Sequence, residues 1–154
     1  MARSTPLWTL LQVNGSERPI YGDKKAGAAI KPGHLCALAA GNVINPVTAA
    51  DSVTAKIIAV EAGWANDDTT RTVQEQPYDA GDTVNYIYAS PGDLVYLHLS
   101  ASQTAAIGSL LATSGTAGEV SVESTNKDAT IIAIAEEAVT TGAGEVKRIK
   151  ARII

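Results

Sequence analysis

The sequence predicts a mainly β domain, an antiparallel barrel or sandwich, and three observations carry that reading. Short runs with period-two alternation recur from about residue 30 to the last residue, each closed by Gly, Pro-Gly or Asp. No stretch holds two successive long amphipathic helices, whereas a parallel α/β sheet needs crossovers of about a dozen residues or more. The composition also suits thin, closely packed sheets: the 154 residues include no Phe, two Trp and 13 Gly, so Ala, Val and Ile must fill the interior.

Two parts are expected, an extended N-terminal arm over residues 1–28 and a β-rich domain over 29–154. Residues 5–13 hold a short strand candidate, which Asn14, Gly15 and Pro19 interrupt. Residues 21–27 read as polar and flexible. Trp8, Leu10 and Leu11 form an apolar patch that would anchor an arm on a partner. The same residues would also suit a first strand tucked into the core, or a disordered leader, and the sequence leaves these alternatives open.

In the β-rich part, Lys31-Pro32-Gly33-His34 is a turn. Pro presets φ and Gly accepts the positive φ that a type II turn requires next. A strand over 35–39 follows, and residues 41–46 turn back. The alternation over 54–61 places Ala55, Ile57, Ala59 and Glu61 on one face and Thr54, Lys56, Ile58 and Val60 on the other. Strands over 83–89 and 94–99, joined by Ser90-Pro91-Gly92-Asp93, are expected to pair as an antiparallel hairpin. A helical turn is expected over 100–107. Further strands are expected over 109–113, 118–122, 128–136 and 146–154, where β-branched residues argue against a buried helix in the apolar run at 128–136.

Chemistry-bearing side chains are sparse. The net charge of −4 and pI near 5.1 oppose general nucleic-acid binding. The N-terminus has no signal-like apolar core and no run approaches the roughly 20 apolar residues of a membrane span, so a chain made in the cytoplasm and free of membrane is expected. The single Cys36 precludes an intrachain disulfide. His34 and Cys36, spaced i and i+2, lack a second pair of zinc ligands. A nucleophile–base pair of Cys36 with His98 has no supporting motif. Asp67 and Asp68 sit in a polar loop over 63–71, and Asp79, Asp82 and Asp93 sit at turns, where Asp caps its own backbone. No catalytic residue, metal or cofactor is therefore assigned. The last strand carries Arg148, Lys150 and Arg152 on one face and Ile149, Ala151 and Ile153 on the other. That is the pattern of a sheet with one wet side, or of a basic stripe that docks on an acidic partner.

Several of these segments together resemble a known family. They are Lys-Pro-Gly-His-Leu at 31–35, Lys-Ile-Ile-Ala-Val-Glu at 56–61, Tyr-Asp-Ala-Gly-Asp-Thr-Val at 78–84 and Ser-Pro-Gly-Asp-Leu-Val-Tyr-Leu at 90–97. Ile-Gly-Ser-Leu-Leu at 107–111, the run at 131–138 and the terminal strand over 146–154 continue the series. The order resembles the head decoration, or cement, proteins of tailed bacteriophages. That resemblance implies a compact β-barrel or β-tulip-like domain that forms a homo-trimer on the outer surface of the capsid and binds the major capsid protein. It implies a noncatalytic, stabilising role in the virion, with residues 1–28 as an arm. The polar excursion over 66–71 departs from the pattern. The alternative is a phage fibre or carbohydrate-binding β module, for which Tyr86 and Tyr88 on one strand face, with Tyr96 and Trp64, would offer a sugar platform.

Overall fold

The chain closes two β-barrels that have no strand in common and meet along one wall of the first. The computed structural model describes residues 9–12, 19–52, 55–62, 76–125 and 130–154, with the side chains of Leu11 and Gln12 excepted. In chain order the strands are β1 (Leu10–Gln12), β2 (Tyr21–Ala26), β3 (Leu35–Ala39), β4 (Val43–Pro46), β5 (Ile57–Ala59) and β6 (Thr83–Tyr88). They continue as β7 (Leu94–Leu99), β8 (Thr104–Ala105), β9 (Leu110–Thr113), β10 (Val120–Val122), β11 (Ile131–Ala135), β12 (Val139–Thr140) and β13 (Lys147–Ile153). The first barrel is a closed ring in the order β2-β4-β3-β5-β6. The second runs β7-β10-β9-β11-β13 and closes through β13 onto β7, with β1 laid along β7. Strands β8 and β12 pair separately.

The barrel expectation is met in its main-β character, and several details are corrected. The pairing is mixed: β2 and β4 run parallel, as do β7 and β10. Strand β4 pairs antiparallel with β3 as well as parallel with β2, because the reversals on either side of β3 return the chain to the direction of β2. Residues 21–26, read as part of a polar arm, form β2 and hydrogen-bond to both β4 and β6, so the boundary at residue 28 cuts through the first barrel. Among its described residues, the alternating run over 54–61 contributes three strand residues, Ile57–Ala59. Lys56, just before β5, takes a left-handed φ of 56°, and its carbonyl accepts from the Ala89 amide at 3.0 Å, in register with the Ile57–Tyr88 pair.

The expected hairpin of β6 with β7 does not form. The Ser90–Asp93 turn closes on itself: the Ser90 amide donates to Asp93 Oδ2 at 2.8 Å, and the Asp93 amide donates to the Ser90 carbonyl at 3.0 Å. Its outer edge then docks on the end of β13, through Gly92 N to Ile153 O (2.8 Å) and Ile153 N to Asp93 O (2.9 Å). The turn therefore hands the chain from one barrel to the other. The expected helical turn over 100–107 is replaced by the β8–β12 ribbon. Thr141 organises this segment: its hydroxyl donates to the Ser100 carbonyl at 2.6 Å and accepts from the Gln103 amide at 2.8 Å.

Alternation in three strands explains how two barrels become one body. In β3, β5 and β6 successive residues feed different cores. Cys36, Ile57, Ala59, Val84 and Tyr86 point into the small first barrel with Ala26, Ile30 and Ile44. Leu35, Ile58, Val60 and Ile87 point the other way and join Val95, Leu97, Leu99, Leu111, Val120, Ile149, Ala151 and Ile153. Strand β5 is thus buried on both faces, which is why Ile57, Ile58 and Ala59 read as a continuous apolar run, whereas residues 37–39 of β3 and Tyr88 of β6 are exposed. Strands β7 and β13, with one wet side, keep clean alternation.

Leu97 is fully buried in the larger cluster. Leu97→Ala should lower unfolding free energy by about 2–5 kcal/mol, the usual range for such a cavity. Ile107→Ala, at a side chain 75% exposed, should stay within about 0.5 kcal/mol. Urea midpoints of the two variants check this contrast.

Candidate functional site

A cluster of polar groups lies where the two barrels and β1 meet. The turn 31–34 places them. Pro32 and Gly33 occupy its corner, with Gly33 at φ 93° and the His34 amide donating to the Lys31 carbonyl at 3.0 Å. A Cβ at Gly33 would stand 2.9 Å from the Tyr96 carbonyl, so glycine is needed both for its φ and for this approach to β7. The turn thereby brings the Pro32 carbonyl under two donors. His98 Nε2 donates to it at 2.8 Å, and Arg148 Nη1 donates at 2.6 Å. A carbonyl only accepts, so His98 carries its proton on Nε2.

His34 has the complementary role. The Lys31 amide donates to its Nδ1 at 3.1 Å, which fixes a neutral ring with Nδ1 bare. The two imidazoles meet edge to face, with centroids 4.8 Å apart. Burial, with Lys31 and Arg148 nearby, lowers the pKa of His34 to about 4. Burial, with His34 and Arg148 nearby, lowers that of His98 to about 3. On the far side of Arg148, Nη2 donates to Thr9 Oγ1 at 2.9 Å, and the amide and hydroxyl of Thr9 both donate to Glu61 Oε1 at 2.7 Å. Arg148 and Glu61 approach to 3.8 Å. The Tyr96 amide donates to the Thr9 carbonyl at 2.7 Å.

The residues singled out from sequence fall as follows. Trp8 lies outside the described residues. Leu10 is half-buried against the larger core, and Leu11 shares its strand. Arg148, Lys150 and Arg152 do share the outer face of β13, opposite His98, Tyr96 and Leu94 on β7. Their charged groups are not equivalent. Arg148 is held in the junction, and Arg152 pairs with Glu136 at 2.5 Å and donates to the Gly92 carbonyl at 2.9 Å. Glu136 in turn is held below its usual carboxylate range by that bond. The Lys150 amide, rather than its ammonium, is the group seen bonded to Glu137.

The arrangement offers structure more readily than catalysis. Cys36 points into the small core, and burial pushes its thiol up to about 12. Asp79 and Asp82 close one turn between themselves, as Asp93 closes another. Asp67 and Asp68 lie outside the described residues. Among the described residues no group of three or more His, Cys, Asp or Glu is placed to hold a metal ion. A cavity of about 250 Å³ beside Ala37, Leu38, Ala55, Ile57, Ser52 and Tyr88 presents hydroxyls as its only side-chain polar groups.

A second cluster involves aromatic rings at the first barrel. Tyr86 stacks on Tyr21 at 5.6 Å, and Tyr88 meets Tyr21 edge-on at 5.5 Å. Tyr86 is buried and donates to Asp23 Oδ1 at 2.6 Å, while Tyr21 and Tyr88 are about 40% exposed. Of the expected sugar platform, Tyr96 stands on the other barrel and Trp64 is outside the described residues. Tyr21 joins through the β2–β6 register, a pairing that no local pattern reveals. The histidine–arginine junction was likewise missed, since residues 34, 98 and 148 are distant in sequence and belong to three different elements.

Comparison with known proteins finds no matching family model and no matching curated protein. Among solved structures the chain matches the N base of the head fibre gp8.5 of bacteriophage phi29, with a TM-score of 0.61 at 16% identity. The match covers 90% of this chain and 95% of that one, so the two share a fold over nearly their whole length.

The junction gives a direct test of packing. Gly118 has φ 73°, and a Cβ there would stand 2.5 Å from His34 Cγ. Gly41 has φ 82° with nothing within 4 Å. Gly41→Ala should cost only the left-handed backbone term, about 1–2 kcal/mol. Gly118→Ala should cost clearly more in the same urea titration, because the buried His34 ring must also move.

Proposed function

We propose that this chain is a noncatalytic structural module of a tailed-phage head, a fibre-base domain seated on the outside of the shell. The end-to-end likeness to a head-fibre base carries the reading, because it spans both barrels and the wall between them. The absence of a metal-binding cluster among the described residues is compatible with it. A mount needs a stiff body and repeated modest contacts, and two barrels packed together through β5, which is buried on both faces, supply stiffness. The finer expectations belong to the same proposal: attachment to the major capsid protein, assembly as a homo-trimer, and a stabilising role like that of a cement protein.

The test is cosedimentation of the purified chain with emptied phage shells, with light scattering for the free oligomer. Saturable pelleting at a fixed ratio to shell subunits is expected. Failure to pellet with any shell form would count against the proposal. Truncation should remove residues 1–8 only, because deleting 1–28 removes β1 and β2 and with them one side of the first barrel.

The exposed Tyr21 and Tyr88 rings favour a second reading, an adhesive base that binds carbohydrate at the first barrel. A glycan array separates the two: signal lost in Tyr21→Ala and Tyr88→Ala supports adhesion, and a silent array leaves the mount.

A further inference from the structure

We propose that His34 and His98 form an acid-operated latch, holding β1 against the second barrel at neutral pH and releasing it when the imidazoles take up protons. The inference does not depend on the reading as a fibre base. It rests on how β1 is attached. Strand β1 has three residues, and its register on β7 is broken by an irregularity between Leu10 and Gln12. Apart from the Leu10 side chain and this short ladder, its described attachments pass through Thr9, which is fully buried. Thr9 is gripped by Glu61 on one side and Arg148 on the other. Arg148 is in turn fixed by the Pro32 carbonyl, which His98 shares and which the turn closed by His34 presents.

The charges near the pair come from the elements packed on it, including the turn before β10, where Glu119 follows the Gly118 that meets the His34 ring and accepts from the Ser100 hydroxyl at 2.7 Å. Lys31 lies on the same turn as His34, Arg148 on β13, and Glu61 just beyond β5, while Tyr96 on β7 flanks Arg148. Thr9 brings no charge. Lys31 and Arg148 therefore bear on the imidazoles before either is charged, while Glu61 pairs with Arg148 and Glu119 is engaged by Ser100. A proton on His34 Nδ1 would face the Lys31 N–H and abolish the bond that closes the turn. A second on His98 would add another cation beside Arg148. Both changes push the turn away from β13, remove the Pro32 carbonyl from Arg148 and loosen its hold on Thr9.

The sign follows from burial. Both imidazoles protonate below their ordinary value of 6.5 while the latch is closed, at about 4 and about 3. The open form binds more protons, so the latch is fully stable above about pH 6.5 and weakens as pH falls below it. Within that window the open-to-closed ratio should rise by up to about tenfold per pH unit for each proton taken up.

The experiment is an NMR titration of the full ¹⁵N-labelled chain from pH 7.5 to 3.5. It follows both imidazoles, the Thr9 and Tyr96 amides, and core amides of β7 and β13. The expected result is a β1 transition below pH 6.5 that coincides with imidazole protonation, while the core amides keep their folded shifts. His34→Asn keeps an acceptor near the Nδ1 position and His98→Gln keeps a donor near Nε2, and neither titrates. The double variant should retain β1 at neutral pH and shift its release at least one pH unit lower. An imidazole titrating near 6.5 with β1 still in place would overturn the latch, as would β1 release only with global unfolding. Unchanged release in the double variant would assign the effect to Glu61 and overturn it too. If the double variant does not fold, coincidence of the imidazole and β1 midpoints in the native chain decides.

Discussion

The burial of β5 on both faces, with Leu35 and Cys36 of β3 and Tyr86 and Ile87 of β6 divided between the two cores, is the constraint on which the rest of the molecule depends. A chain with no Phe has few large side chains with which to build two separate cores. Packing along one wall removes one solvent-facing surface from each barrel, so small residues suffice. Burial on both faces also fixes register severely. A slip of one residue in β5 would exchange Ile57 and Ala59 with Ile58 and carry each into the wrong core. The Tyr78 hydroxyl adds a polar tie across the same wall, donating to the Val60 carbonyl at 2.6 Å.

The junction chemistry is a consequence of that layout. Once the wall brings the 31–34 turn against β7 and β13, the polar groups at its edge must find partners inside protein, because water is largely excluded. Arg148 illustrates the outcome. It sits on the wet face of an alternating strand, yet its guanidinium is drawn beneath Thr9 and onto the Pro32 carbonyl.

Much of the β content was legible because alternation is local. The strand over 94–99 and the faces of the last strand follow from period two, and the strand over 35–39 from the Pro-Gly turn before it. The turn roles of Asp79, Asp82 and Asp93 were legible for the same reason, as each bonds within three residues. Pairing was not legible. Nothing within residues 83–99 says that the Pro-Gly turn will dock on Ile153 and separate two barrels instead of closing a hairpin. Polar Tyr21-Gly22-Asp23-Lys24-Lys25 looks like a solvated leader, and becomes a strand only because β4 and β6 offer ladder partners on both sides. The junction was hidden more deeply, since its geometry depends on contacts spanning up to 139 residues.

The wall between the barrels makes a mechanical claim that residue-resolved urea unfolding tests most directly. Amides of the first barrel, such as Ile44 and Val84, and of the second, such as Leu111 and Ile149, should lose their native signals at one common midpoint. Ile57→Ala and Ile58→Ala, which point into different cores, should each move that common midpoint for both sets. Two separate transitions, with each substitution shifting only the barrel it faces, would contradict the account.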